Sequence, residues 1–183
     1  MKALVYTNTM ETEFRDEPES LATETEVVVD LTHCGICGSD MHAWHGHDER
    51  RVPPLILGHE AVGVPRTGKF AGQRAALNPL MTCGVCEACT SGNEHLCPER
   101  ELIGMRVPGA FAQTVAIRET NLFPIPDHLP FHEAALAEPL AVCVHAVKLG
   151  IARTGTDNTR AVVLGGGAIG LLTVMVLNHY GIQ

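Results

Sequence analysis

The sequence has little that would hold a polyanion. Thirteen Lys and Arg against 21 Asp and Glu leave a formal net charge of -8, and no basic run stands ready to neutralise a phosphate backbone, so nucleic acid is excluded as a partner. The apolar core of a signal peptide is missing as well. Met1-Lys2-Ala3-Leu4-Val5-Tyr6 breaks off before an h-region could form, which points to the cytoplasm, where disulfides are disfavoured. The seven cysteines are then expected to be thiols or metal ligands. Charged residues make up only 19% of the chain and hydrophobic residues 45%, a balance that excludes both disorder and a coiled coil. Internal repeats and low-complexity segments are absent. With 183 residues the chain is long enough for one buried core, or for one domain and a piece of another.

Charge is missing altogether from Ala161 onward if His179 is neutral, and Ala161 to Leu177 is 17 residues long, at the edge of membrane-crossing length. Gly165-Gly166-Gly167 interrupts this stretch. It lies between four apolar residues and a helical pattern, so the segment reads as strand, tight turn and buried helix, not as a membrane span.

The first 125 residues read mainly as strands and loops. Lys2 to Tyr6 and Glu26 to Leu31 are short and rich in Val and Leu, with weaker candidates at Arg74 to Leu77 and Gln113 to Ile117. Short strands separated by Gly and Pro suggest a β-rich barrel. From Phe131 the spacing becomes helical, with Pro139 suited to the first helical position and Glu138 to the N-cap. Thr154 to Thr159 is the expected boundary, followed by a buried strand over Ala161–Leu164, the glycines, and a helix from about Ala168 to His179.

Two clusters carry chemistry. Cys83, Cys86, Cys89 and Cys97 offer four thiolates within fifteen positions, the ligand set of a closed tetrahedral zinc site, with two-residue gaps that let one loop present successive sulfurs to one ion. Two disulfides or a redox Cys-x-x-Cys pair are the alternatives. The second cluster is open: Cys34-Gly-Ile-Cys37-Gly-Ser39-Asp40-Met-His42 and Gly58-His59-Glu60 supply a thiol, imidazoles and carboxylates without a closed set of four. A catalytic zinc needs three protein ligands and one exchangeable position. Taken singly, each of these residues also fits an ordinary structural or surface role.

The string CGICGSDMHAWHG, the GHE at Gly58 to Glu60, the four spaced cysteines, GAFA at Gly109 to Ala112, AEPLAVCVHAV at Ala137 to Val147 and VVLGGGAIGLL at Val162 to Leu172 occur in that order in zinc-dependent medium-chain dehydrogenases. The chain resembles most their alcohol, sorbitol and threonine branches. The resemblance implies a GroES-like, β-rich, partly open barrel over 1–153 with a structural zinc lobe at 83–97, followed over 154–183 by the first strand and helix of an α/β Rossmann domain. It implies two zinc ions per chain, NAD or NADP, a small-molecule alcohol or polyol substrate, and homo-oligomeric assembly.

Cys37, His59 and Glu138 then resemble the catalytic zinc ligands, and Glu60 a glutamate that coordinates or approaches during ligand exchange. Asp40 resembles the carboxylate that orients His59, Ser39 and His42 a proton relay, and Trp44 a neighbour of the substrate pocket. Glu138 can equally be a plain helix cap. At a helix start its carboxylate meets the positive end of the dipole and stays ionised, as a metal ligand must. Cys34 and Cys143 are expected to pack as small apolar residues. His45 and His47 add metal-binding potential near Trp44, although an exposed polar loop accounts for them too. Between Gly63 and Gly72 the sequence has eight residues where relatives have a longer strand-turn-strand, implying a shortened hairpin.

Gly165-Gly166-Gly167-Ala168-Ile169-Gly170 fits GxGxxG between strand and helix. Gly165, Gly167, Ala168, Ile169 and Gly170 are thus candidates to cradle a dinucleotide pyrophosphate at a helix N-terminus. The acidic residue that would hold the ribose is expected about 20 residues on, beyond Gln183. The resemblance therefore makes this the N-terminal part of a longer enzyme, with NAD and NADP undistinguished and no useful turnover expected from the 183 residues alone. A zinc-stabilised GroES-like binding module without catalysis is the alternative reading.

Overall fold

Alternation along Glu26–Gly35 (β3) buries Val27 and Val29 while Asp30 faces outward, and this strand organises the barrel. It pairs antiparallel with Glu60–Pro65 (β5) on one side and Thr114–Arg118 (β9) on the other. Ala75–Leu77 (β6) and Leu122–Pro124 (β10) extend the sheet to five strands in the order β10-β6-β5-β3-β9. Lys2–Asn8 (β1) lies between Glu11–Asp16 (β2) and Leu55–Ile56 (β4) in a second sheet, and Leu80–Met81 (β7) pairs with Glu101–Leu102 (β8). The helices are Gly38–Trp44 (α1), Glu87–Thr90 (α2), Phe131–Ala134 (α3), Ala137–Thr154 (α4) and Ala168–His179 (α5).

This computed structural model describes residues 1–156 and 160–183, which form two compact units, Met1–Ala135 and Leu136–Gln183. Residues 157–159 of the expected boundary lie outside the described residues. In the first unit the main core gathers Val29, Ala75, Ile103, Val115 and Ile117 with their neighbours. In the second, Cys143 and Val147 of α4 pack against Leu172 and Val176 of α5. Among the described residues no helix is long and apolar enough to cross a membrane.

The four strands expected in the first 125 residues form as β1, β3, β6 and β9, with Arg74 and Gln113 just outside the last two, and α5 occupies the expected span. Two local expectations are corrected. Helix α4 begins at Ala137 with Leu136 as N-cap, so Glu138 lies in the first turn and is not the cap. Pro139 is tolerated there because the first helical N–H groups have no intrahelical acceptor to lose. The buried strand over Ala161–Leu164 does not form either. Val162 is 85% exposed and Leu164 93%, because a strand of a parallel sheet needs neighbours to take its N–H and C=O groups, and no described strand pairs with it. Strand β5 turns back into β6 with Gly63 opposite Ala75.

Candidate metal centres

Strand register builds the open cluster. Gly35 of β3 stands opposite Glu60 of β5, so the chain leaving β3 carries Cys37 to the side of His59 and Glu60. Gly35 leaves room there for the carboxylate: a Cβ on it would lie 2.2 Å from Glu60 Oε2, and the Glu60 side chain would have to swing away. Cys37 Sγ, an imidazole nitrogen of His59 and a carboxylate oxygen of Glu60 all lie within 4.8 Å of one another. Thiolate, imidazole and carboxylate are donors that zinc accepts together.

Asp40, in the first turn of α1, ties these residues into one framework. Its Oδ2 accepts the Cys37 N–H at 3.0 Å and its Oδ1 the Gly58 N–H at 3.3 Å. Oδ1 also lies 3.5 Å from His59 Nδ1, a buried nitrogen that makes no hydrogen bond. A ring poised against a carboxylate in this way is what a metal-bound imidazole needs on its free nitrogen. Burial opposes a charge on His59, yet Asp40 and then Cys37 outweigh it and raise the imidazole to about 9. Burial likewise lifts the Glu60 carboxyl above the usual range, against the pull of His59 and Cys37. Both groups would lose that proton on binding a metal. Trp44, Leu57 and Phe111 line an apolar pocket of about 200 Å³ that Asp40 also borders.

The four thiols of the 83–97 lobe close on one point. Cys83 Sγ is 3.9 Å from Cys89 Sγ, and Cys86 Sγ is 3.5 Å from it; all four sulfurs lie within 4.8 Å of one another. Four sulfurs at tetrahedral zinc, each about 2.3 Å from the ion, sit about 3.8 Å apart, so the lobe has the dimensions of that site. Backbone N–H groups of Val85 and Cys86 lower the Cys83 thiol to about 6, preparing a thiolate. No cysteine is in a disulfide. Cys143 is buried among apolar side chains, and burial, with the Asp40 charge, pushes Cys34 up to about 12; both pack as small apolar residues, as expected.

In the second unit the glycine turn leads into α5 at Gly167, its N-cap. A Cβ on Gly170 would lie 2.0 Å from Gly165 O, so the turn and the helix approach as closely as only glycine permits. Around Gly166 and Gly167 the space is open within 4 Å, and no side chain caps the helix, which leaves its first N–H groups available to an anion. Glu138 belongs to this unit, half-buried at the second position of α4.

A family model, the alcohol dehydrogenase GroES-like domain, matches residues 23–127. The chain belongs to this family. Sorbitol dehydrogenase of Bacillus subtilis is 37% identical to it over 192 residues, covering 99% of the chain and 53% of the relative. Galactitol-1-phosphate dehydrogenase from Escherichia coli superimposes with a TM-score of 0.90 at 28% identity, over 100% of the chain and 54% of that structure. An Escherichia coli protein described as a short chain alcohol dehydrogenase, solved with NADH, gives 0.88 at 28% identity, over 100% and 55%. The chain spans about half the length of the relatives it matches.

Within this GroES-like unit the structure adds a residue that sequence reading passed over. Arg51 has a side chain only 1% exposed. It donates to Gly104 O at 2.9 Å, to Asp48 Oδ2 at 2.5 Å and to Ser39 Oγ at 3.2 Å, linking the segment before β4 to α1. Nothing in the sequence separates it from Arg50, whose side chain is 62% exposed. Ser39 and His42 are three apart on α1 and so share a face.

Proposed function

We propose that this chain is the zinc- and cofactor-binding part of an oxidoreductase that transfers a hydride between an alcohol, a polyol or secondary alcohol, and NAD or NADP. The observation that carries the reading is the open set of Cys37, His59 and Glu60, the last two buried, braced by Asp40, which also borders an apolar pocket. In this reading 1–153 is the catalytic domain and 154–183 the start of the nucleotide domain. Zinc, when bound, supplies Lewis acidity that makes an alcohol more acidic and a carbonyl more electrophilic.

The chain's own residues do the rest. Cys37, His59 and Glu138 hold the catalytic ion, with Glu60 close enough to exchange onto it. Asp40 keeps the His59 ring oriented, and the Trp44, Leu57 and Phe111 wall receives the carbon skeleton. Ser39 hands its own hydroxyl proton on towards His42 as it takes that of the alcohol, and His42 carries the proton away, imidazole being the usual proton carrier near neutral pH. Gly165, Gly167, Ala168, Ile169 and Gly170 approach the pyrophosphate with backbone alone. Cys83, Cys86, Cys89 and Cys97 hold a second, structural zinc. A cytoplasmic setting is part of this reading, and homo-oligomeric assembly follows from the family resemblance.

Metal analysis combined with NAD and NADP reduction over a panel of polyols and secondary alcohols tests the reading in the full-length enzyme. Two zinc ions per chain and metal-dependent reduction are expected. A protein holding only the four-thiol zinc, with no turnover of any alcohol, would overturn it in favour of a binding module.

A further inference from the structure

Helix α1 ends in a way that gathers three histidines. His45 is its C-cap, and Gly46 follows at φ 76°, a left-handed conformation that glycine adopts without strain. The Gly46 N–H donates to Ala43 O at 2.8 Å and the His47 N–H to His42 O at 2.9 Å. This pair of bonds is the Schellman motif, which normally brings an apolar side chain of the last turn against one just beyond the helix. Here those two positions are His42 and His47, with ring centres 6.2 Å apart. The cap residue His45 stacks on His47 at 5.8 Å with 19° between the planes. Thr9 Oγ1 would lie 2.8 Å from a Cβ on Gly46, and the Met10 N–H donates to Trp44 O at 2.7 Å, so the backbone under the three rings is held on both sides.

We propose that His42, His45 and His47 form a third transition-metal site, separate from the two zinc centres, for a borderline divalent ion such as zinc or nickel. Imidazole is the ligand such ions prefer. Two imidazoles at the tetrahedral angle on one ion, with bonds of about 2.0–2.1 Å, place their ring centres roughly 5.2 Å apart, and the two pairs, at 6.2 and 5.8 Å, stand within about 1 Å of that spacing. His45 carries the further mark of a ligand: its Nδ1 lies 2.7 Å from Met41 O. Donation to that carbonyl fixes the proton on Nδ1 and leaves the Nε2 lone pair pointing away from the helix, the arrangement that orients metal-bound imidazoles. The three sets of nitrogens do not lie within 4.8 Å of one another as the donors of the two zinc clusters do, so closure on an ion takes rotation of exposed side chains.

Occupation of this site also has a catalytic consequence, which rests on the reading of His42 as the proton carrier. An ion on His42 uses the lone pair that would receive the proton, so excess metal inhibits turnover without displacing the zinc already bound.

The chain contains one tryptophan, and its ring centre lies 4.7 Å from that of His45, so the protein carries its own probe. Zinc-loaded protein is titrated with Ni2+ while Trp44 fluorescence is followed, alongside a His45→Asn/His47→Asn variant and a His47→Asn variant. Zinc content and circular dichroism confirm that each variant is folded. Saturable quenching by one Ni2+ per chain is expected, weakened about tenfold or more in His47→Asn, a loss equivalent to about 1.4 kcal/mol, and abolished in the double variant. Quenching of equal strength in all three proteins, or none that saturates, overturns the site. In the active full-length enzyme Ni2+ should inhibit the wild type and spare the double variant. Saturable binding without inhibition would uphold the site and refute His42 as proton carrier.

Discussion

Asp40 is the residue on which the open centre turns, since one buried carboxylate accepts two backbone N–H groups and faces His59. Asp40→Asn keeps the volume but removes the charge. Its expected effect is an approximately 10–100-fold weaker hold on the catalytic zinc, with the 83–97 lobe still loaded, measured by competition against a chromophoric chelator. Cys97→Ser should act the opposite way. Metal analysis should show the four-thiol ion lost while the open centre keeps its own, and the denaturation midpoint should fall together with the metal, because structural zinc binding is coupled to folding. Arg51 carries a different kind of weight. Arg51→Met removes the donor to Gly104 O and Ser39 Oγ while Asp48 keeps Arg50, and is expected to cost about 1–3 kcal/mol in denaturant unfolding. Arg50, and then Arg51, hold the Asp48 carboxyl below the usual carboxylate range. A depressed folded-state pKa means that the pair's stabilisation is complete above the unfolded value of about 3.9 and is lost as pH falls towards the folded one. Acid titration of stability should show that loss in the wild type and a flatter profile in Asp48→Asn.

At the scale of elements, the glycine turn and α5 form one unit of close approach. Gly170→Ala would drive a Cβ into Gly165 O, and a backbone oxygen cannot rotate out of the way as a side chain would. The turn must shift, and NADH affinity in the full-length enzyme is expected to drop at least about tenfold, read by fluorescence titration, with both zinc ions retained. Elements differed in how openly the sequence announced them. Helix α5 was legible because glycines mark its start and apolar residues run through it, and β1 and β3 because they are short and rich in Val and Leu. Strand β5 was not, since Glu60 to Val62 are all buried and alternation vanishes when both faces are covered. Helix α1 is only seven residues long, too short for a periodic signal to emerge. The start of α4 was misplaced because Pro139 suits any position of the first turn.

For the whole molecule, the second unit as it stands leaves much apolar surface to water, including Val162, Leu164, Leu171 and Met175, the last two 61% and 63% exposed. The 183-residue chain is therefore expected to associate with itself in a concentration-dependent way, and Val162→Lys with Leu164→Lys should reduce that association, as sedimentation velocity would report. A chain that stays monomeric at high concentration would show that this surface is not sticky.

Ligand chemistry was written in the sequence. Four cysteines at short spacing can converge on one ion whatever surrounds them, because the loop that joins them is local, and a run of three glycines before a helical pattern implies a tight turn for the same reason. What is far apart along the chain had to wait for the fold. That Gly35 meets Glu60, and so brings Cys37 to His59, follows from the register of β3 on β5, and register is chosen by which faces the core can bury. That Arg51 is a buried anchor while Arg50 is solvated was likewise decided by tertiary contacts, because two adjacent identical residues carry no local difference. The Ala161–Leu164 segment makes the same point in reverse: its composition specifies a strand, but a strand exists only when other strands accept its hydrogen bonds.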